Sequence, residues 1–363
     1  MKSVGIVGAG IIGRLLALQL IKNGWQVTLF DADAKNGISG CSYAAAGMLA
    51  PFSELETAEK TIFDLGLQSL HLWEVLLPTL NLPVYFKKTG SLFIAHAQDY
   101  LELKRIKERI DMKLKGMSDV KLLSANDIKI LEPGLMGQHV ALYLPDEGHV
   151  DNRMLLSSIA STLNEYGINW QENTFVHDIK SGIIITKSAT YSFDLVCDCR
   201  GLGAKNILPD LRAVRGELVY LYAPEVVIAR PIRLIHPRYR LYIVPRPNNI
   251  YIIGASEIES EDFSPISVRT ILELLSAAYS VDPGFSEARI IETVTHCRPA
   301  FSDNLPAIFY SDGVLCINGL YRHGYLLAPM LVQEALAMIE QGVKNDTGHI
   351  QWKKNDVGTQ YNA

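Results

Sequence analysis

The chain lacks any hydrophobic run long enough to span a bilayer, and its apolar residues, 48% of 363, are dispersed rather than blocked together. It also lacks a strong charge bias. A net charge of -5, from 34 Lys and Arg against 39 Asp and Glu, argues against broad electrostatic binding to nucleic acid. Cysteine is scarce and scattered: Cys41, Cys197, Cys199, Cys297 and Cys316 fall at no spacing typical of a metal site or disulfide framework. Small buried thiols in a reducing compartment are therefore expected. No internal repeat or low-complexity tract interrupts the chain. Glycines sit where the hydrophobic region of a secretory signal would fall, so the cytoplasm is the expected compartment. The length suits two closely joined domains over a generous core.

What the chain does have is concentrated at its front. Val4, Ile6 and Val7 make a short apolar run fit for a buried parallel strand. Gly8, Gly10 and Gly13 then occupy G-x-G-x-x-G positions, with Ala9, Ile11 and Ile12 between them. The first glycine permits a tight turn and the second lets backbone N–H groups approach a pyrophosphate. The third lets the next helix pack close to the sheet. Leu15, Leu16, Leu18, Leu20 and Ile21 fill that helix, and Asn23-Gly24 stops it. Residues 26–30 form the next strand, after which Asp31 stands where a carboxylate accepts hydrogen bonds from a ribose. A glycine fingerprint alone is weak. One that follows a strand, opens a helix and meets an acid at the next strand's end predicts an adenine dinucleotide site.

Further along, helices are predicted over residues 57–80, 98–115, 152–166, 267–280 and 325–341, from apolar spacing and capping residues. Short strands are predicted around 84–86, 90–95, 169–171, 175–179 and 195–199, the last ending in a second glycine turn at Gly201 and Gly203. Residues 215–254 are β-rich with a period of two, and 290–298 and 314–318 are extended. The run Ala44-Ala45-Ala46-Gly47-Met48 reads as a helix start and a loop that allows close approach of a flat ligand. The expected organisation is an interleaved α/β protein. One domain is assembled from 1–80, 145–215 and 296–343, the other from 81–144 and 216–295, with a polar, frayed tail at 344–363.

These features together resemble the D-amino-acid-oxidase-like family of flavoproteins, and within it the glycine oxidases linked to thiamin synthesis. The carriers are the Gly8-Gly10-Gly13 fingerprint with Asp31, the 44–49 run, Leu241-Tyr242-Ile243-Val244-Pro245-Arg246, Cys297-Arg298-Pro299, and the segment 319–329. All five occur in order, from Val4 to about Glu340. The resemblance implies a Rossmann-like FAD-binding domain interleaved with an antiparallel-sheet substrate domain, and FAD bound non-covalently between them. It implies oxidation of a small amino acid or amine, such as glycine, sarcosine or a D-amino acid, by hydride transfer to flavin N5. The products would be an oxo acid, ammonia and hydrogen peroxide, with oxygen as acceptor. Two alternatives share the chemistry: a D-amino-acid dehydrogenase using another acceptor, and a flavoprotein acting on an amine of a larger molecule.

Such chemistry belongs largely to the cofactor, so the protein must supply a cation for the carboxylate and a shape that presents Cα. Arg298 is the first candidate, because a guanidinium fork matches a carboxylate with two parallel hydrogen bonds. The competing reading is a structural ion pair. By resemblance, Tyr242 hydrogen-bonds the same carboxylate, and Arg322 is a second arginine near flavin and substrate. Gly319, Tyr321, His323, Gly324 and Tyr325 line the same turn, where the positive end of the closing helix faces the flavin. Arg240 shares the strand face of Tyr242 and occupies a position often held by histidine, which would favour a substrate with an extra acid. Val176 is placed against adenine, and Gly201 and Gly203 against the diphosphate or ribityl chain. Arg200 and Tyr43 depart from the small residues usual there; Arg200 either points outward or contacts cofactor. His296 and His323 are expected to pack or hydrogen-bond rather than act as bases.

Overall fold

A computed structural model of the chain describes residues 1–116, 118–135, 137–236, 240–342 and 350–351. Apart from residues 350–351, the expected tail lies outside the described residues.

The apolar front of the chain forms the centre of a seven-stranded sheet. The strand Ser3–Val7 lies between Gln26–Phe30 and Leu195–Asp198, parallel to both. Val4 and Ile6 are fully buried there, as an all-parallel strand covered on both faces requires. Asn169–Gln171 extends one side in parallel. Val314–Asn318 extends the other, followed by the antiparallel strands Ala307–Ser311 and Ile350–Gln351. The helix Ile11–Lys22 opens directly after the glycine turn and buries Leu15, Leu16, Leu18 and Leu20 in one core with the closing helix Gly324–Glu340. The helix Asn152–Glu165 joins the same core, its start held by the Asp151 carboxylate, which accepts from the N–H groups of Arg153 and Met154.

A second, nine-stranded mixed sheet covers the far side of the site. Its long strand Arg212–Tyr222 pairs antiparallel with Ile250–Gly254 and with Arg289–Ala300. Arg240–Arg246 pairs with Ile250–Gly254 and with Ile232–Ile235, and the sheet continues through Ser91–Ala95 and Val140–Leu144 to Lys121–Ser124. The strands Arg212–Tyr222 and Arg289–Ala300 both belong to this sheet, and the expected boundaries at 215/216 and 295/296 fall inside them.

Two local expectations differ from the structure in extent. The helix predicted over 57–80 runs from Lys60 to Leu76 and continues as a tighter turn over Leu77–Thr79. Pro78 lacks an N–H for the α-helical ladder, and the Thr79 hydroxyl donates back to the Leu76 carbonyl at 2.8 Å. The alanine run is helical only over Cys41–Ala44; Met48–Leu49 then pairs antiparallel with Gly148–Val150. Among the described residues no helix is long and apolar enough to cross a membrane.

Candidate active site

The glycine turn lies at the end of the strand Ser3–Val7. Gly8 takes φ 100°, and a Cβ there would fall 2.5 Å from the Cys199 carbonyl oxygen, so neither backbone nor space admits a side chain. Asp31, at the end of the neighbouring strand, accepts from the Ala9 and Asp33 N–H groups. Burial pushes its carboxyl up, against the pull of those two hydrogen bonds. Ser42 crosses to the turn and accepts from the Ile11 N–H at 3.0 Å.

From this turn a cavity of about 540 Å³ runs under the mixed sheet. Gly8, Ala9, Gly10, Ile11, Ile12 and Asp31 line one part of it. Ala44, Ala45, Ala46, Gly47 and Met48 line its side, with Gly201 and Gly203 opposite. Tyr321, Arg322, Gly324 and Tyr325 bring the start of the closing helix to its wall, and Arg298 and Tyr242 come from the mixed sheet. Four expected residues stand behind this lining. Gly13 packs on the Gly8 carbonyl, and Gly319 lies against the Phe301 ring. Val176 joins an apolar cluster with Val7, Phe30, Ile184 and Val196. His323 is buried with its Nδ1 3.3 Å from Glu54. Burial pulls the His323 imidazole down to about 4 despite the nearby carboxylate, so it is neutral at physiological pH.

Arg298 stands in the register of the long strand pair, opposite Val214. Its Nη1 donates to the Ser256 carbonyl at 3.3 Å, and its guanidinium lies flat over Gly216, where a Cβ would fall 2.3 Å from Nη2. No described residue supplies it with a carboxylate. Tyr242 is enclosed near the backbone of Gly254; burial raises its hydroxyl pKa against the pull of Arg298, so it remains a protonated donor.

The other three arginines on the cavity wall are compensated. Arg322 pairs with Glu54 at 2.8 Å and Glu257 at 3.6 Å, and donates to Thr57 at 2.5 Å. Arg233 pairs with Glu56 at 2.6 Å. Arg200 folds back in a fork onto the buried Asp198 carboxylate, at 2.7 and 3.0 Å, while still bordering the cavity. Tyr43 lies under the Arg153 guanidinium, 4.2 Å from its ring centroid. The backbone of Arg240 opens the strand Arg240–Arg246, but its side chain lies outside the described residues. His296 bonds the Ser39 carbonyl through Nε2 at 2.9 Å. Burial would lower its pKa, yet hydrogen bonds from its ring to Cys41, Cys297 and Ser39 push it up to about 9.

Several members of the site carried no sequence signal of their own. Glu54 and Glu257 flank Arg322 from segments 268 and 65 positions away. Gly216 and Glu217 sit in an ordinary β run. The one available hint was a charged residue inside an apolar strand, at Glu217.

A glycine turn with a ribose acid, opening on an arginine–tyrosine pair beneath a second sheet, defines a dinucleotide-dependent oxidoreductase. The chain belongs to the DAO family of FAD dependent oxidoreductases, whose model matches residues 3–337. It is similar to the "Putative thiamine biosynthesis oxidoreductase ThiO" of Rhizobium etli, 38% identical over 92% of this chain and 96% of that protein. It is also similar to the glycine oxidase of Geobacillus kaustophilus, at 27% identity over 90% of each chain. The crystal structure of that Geobacillus oxidase superposes with a TM-score of 0.82, covering 94% of this chain and 95% of that one. The cofactor is therefore FAD, and the chain is an amine or amino-acid oxidoreductase of the glycine oxidase and ThiO type. The cavity fits the cofactor: the side-chain-free turn at Gly8 and the Asp31 carboxylate suit an adenosine diphosphate, and the remaining length leads to Arg298.

Proposed function

We propose that the chain oxidatively deaminates a small amino acid with a single carboxylate, glycine or sarcosine first, giving the oxo acid and ammonia or methylamine. FAD, when bound, supplies the two-electron acceptor, and oxygen is the proposed terminal acceptor, reduced to hydrogen peroxide. The observation that carries this reading is the charge distribution of the cavity wall. Arg200, Arg233 and Arg322 are each ion-paired, which leaves Arg298 as the lining arginine without a described carboxylate partner. A carboxylate bound there receives a two-pronged, charge-assisted interaction, to which the Tyr242 hydroxyl adds a third donor. With the carboxylate held, the rest of the substrate points along the cavity, and its orientation is set before reaction. Glu54 and Glu257 stand beside Arg322 on the same wall, an environment that suits an amine better than a second acid. In this reading the segments 1–80, 145–215 and 296–343 hold the cofactor, while 81–144 and 216–295 roof the substrate. The similarity to a ThiO protein supports a role for the product in thiamin synthesis.

The test is anaerobic mixing of FAD-loaded protein with glycine, sarcosine, D-alanine, iminodiacetate and methylamine. Glycine and sarcosine should bleach the visible flavin band fastest, and the diacid and bare amine should act poorly. Faster bleaching by iminodiacetate or methylamine would overturn the single-carboxylate reading. Peroxide yield on readmitting air then reports the acceptor.

A further inference from the structure

We propose that Glu217 is a positioning residue for the carboxylate clamp: buried behind the cavity, it fixes Ser256 and thereby the orientation of Arg298. The inference rests on the reading of Arg298 as the carboxylate anchor.

Strand alternation separates the two sides of this arrangement. Gly216 faces the Arg298 guanidinium, so its neighbours Arg215 and Glu217 point the other way, and the Glu217 residue is fully buried. A buried carboxylate must find donors, and this one finds several. Its Oε1 accepts from Arg215 Nη2 at 2.6 Å and from the Ser267 N–H at 3.1 Å. Its Oε2 accepts from the hydroxyls of Thr270 and, at 3.2 Å, Ser256. Glu217 also grips Ser256 through its own backbone. The Ser256 hydroxyl accepts from the Glu217 N–H at 2.9 Å, and the Ser256 N–H donates to the Glu217 carbonyl at 3.2 Å.

Ser256 is therefore held at three points by one residue, and its own carbonyl accepts from Arg298 Nη1. Arg298 has two described contacts that set its plane: this carbonyl and the bare backbone of Gly216. Both belong to, or hang from, the Arg215–Glu217 segment. With no acidic partner among the described residues, Arg298 depends on that support to present its fork in one orientation.

The experiment uses FAD-loaded protein and three variants, Glu217→Gln, Ser256→Ala and Ser256→Thr. Acetate, a carboxylate without an amine, is titrated while the visible flavin spectrum is followed, and glycine turnover is measured in parallel. In Ser256→Ala, the acetate Kd and glycine KM should each rise about tenfold, with kcat and FAD retention close to wild type and a lower Tm from the unpaired Glu217 N–H. Ser256→Thr, which keeps the hydroxyl, should restore both constants. Glu217→Gln should show a larger rise in the same two constants. Should Glu217→Gln fail to fold, the serine pair still decides the question. Wild-type acetate affinity in Ser256→Ala, or a loss that only tracks FAD release, overturns the positioning role. A wild-type protein that gives no spectral response to acetate, and no dependence of substrate on a carboxylate, overturns the Arg298 reading itself and this inference with it.

Discussion

Arg298 rests on Gly216 because nothing else fits there. A Cβ at that position would lie 2.3 Å from Nη2 and 2.6 Å from Cζ, inside any real contact distance. Gly216→Ala must therefore push the guanidinium off its plane, and a lost charge-assisted hydrogen bond is worth about 1.5–3 kcal/mol, or roughly 10- to 150-fold in binding. The glycine KM of this variant should rise within that range while the protein stays yellow; an unchanged KM would show that the guanidinium has room to move. Asp31 gives the complementary case. Its carboxylate braces the turn through the Ala9 N–H, so Asp31→Ala should weaken FAD retention, measured by fluorescence of released flavin after gel filtration, without a selective effect on KM. Both outcomes concern residues unequally visible in the sequence. Asp31 and the fingerprint glycines have local spacing rules, and Arg298 beside Pro299 is an odd place for a solvated cation. Gly216 looks like any strand glycine, and the carboxylates around Arg322 come from segments whose proximity exists only in the fold.

At the scale of elements, the short helix Pro51–Glu54 is too brief to hold itself and is pinned from outside. Glu147, fully buried, accepts from the Ser53 N–H and hydroxyl and from the Ser91 hydroxyl, and the same turn carries Glu54 to Arg322. Burial raises the Glu147 carboxyl from 4.5 to about 7, although three hydrogen bonds oppose it. Between those values the folded chain keeps a proton that the unfolded chain has released. Stability therefore falls as pH rises through this window, by about 3 kcal/mol, and the loss is complete above the folded value. Glu147→Gln does not titrate, so its Tm should change less than that of wild type between about pH 5 and about pH 8. Parallel profiles would show that other groups set the pH dependence. The order of most elements was legible from periodicity and caps. Their contacts were not: nothing in the spacing of Ser53, Ser91 and Glu147 marks them as one cluster, since Ser53 lies on a short helix, Ser91 on a strand and Glu147 in the loop after the strand that pairs with it.

The two large sheets must keep a fixed spacing, because the cofactor turn belongs to one and the Arg298–Tyr242 pair to the other. A side-chain clasp provides part of that connection. Arg153, on the helix Asn152–Glu165, makes a two-pronged pair with Glu292 of the strand Arg289–Ala300, at 2.7 and 2.8 Å. Its guanidinium is also flanked by the rings of Tyr43 and Tyr220, at 4.2 and 4.4 Å, so the departure at Tyr43 has a role in the clasp. A partly desolvated cation–π contact contributes about 0.5–2 kcal/mol, and a lone rim ion pair less than 1 kcal/mol. Removing both through Arg153→Ala should lower the stability of the holoprotein by about 1–3 kcal/mol and hasten FAD release on dilution. Arg153→Lys keeps the charge but not the planar fork, so it should recover only part of the loss. If both variants hold FAD as wild type does, the clasp is not needed to keep the sheets in place.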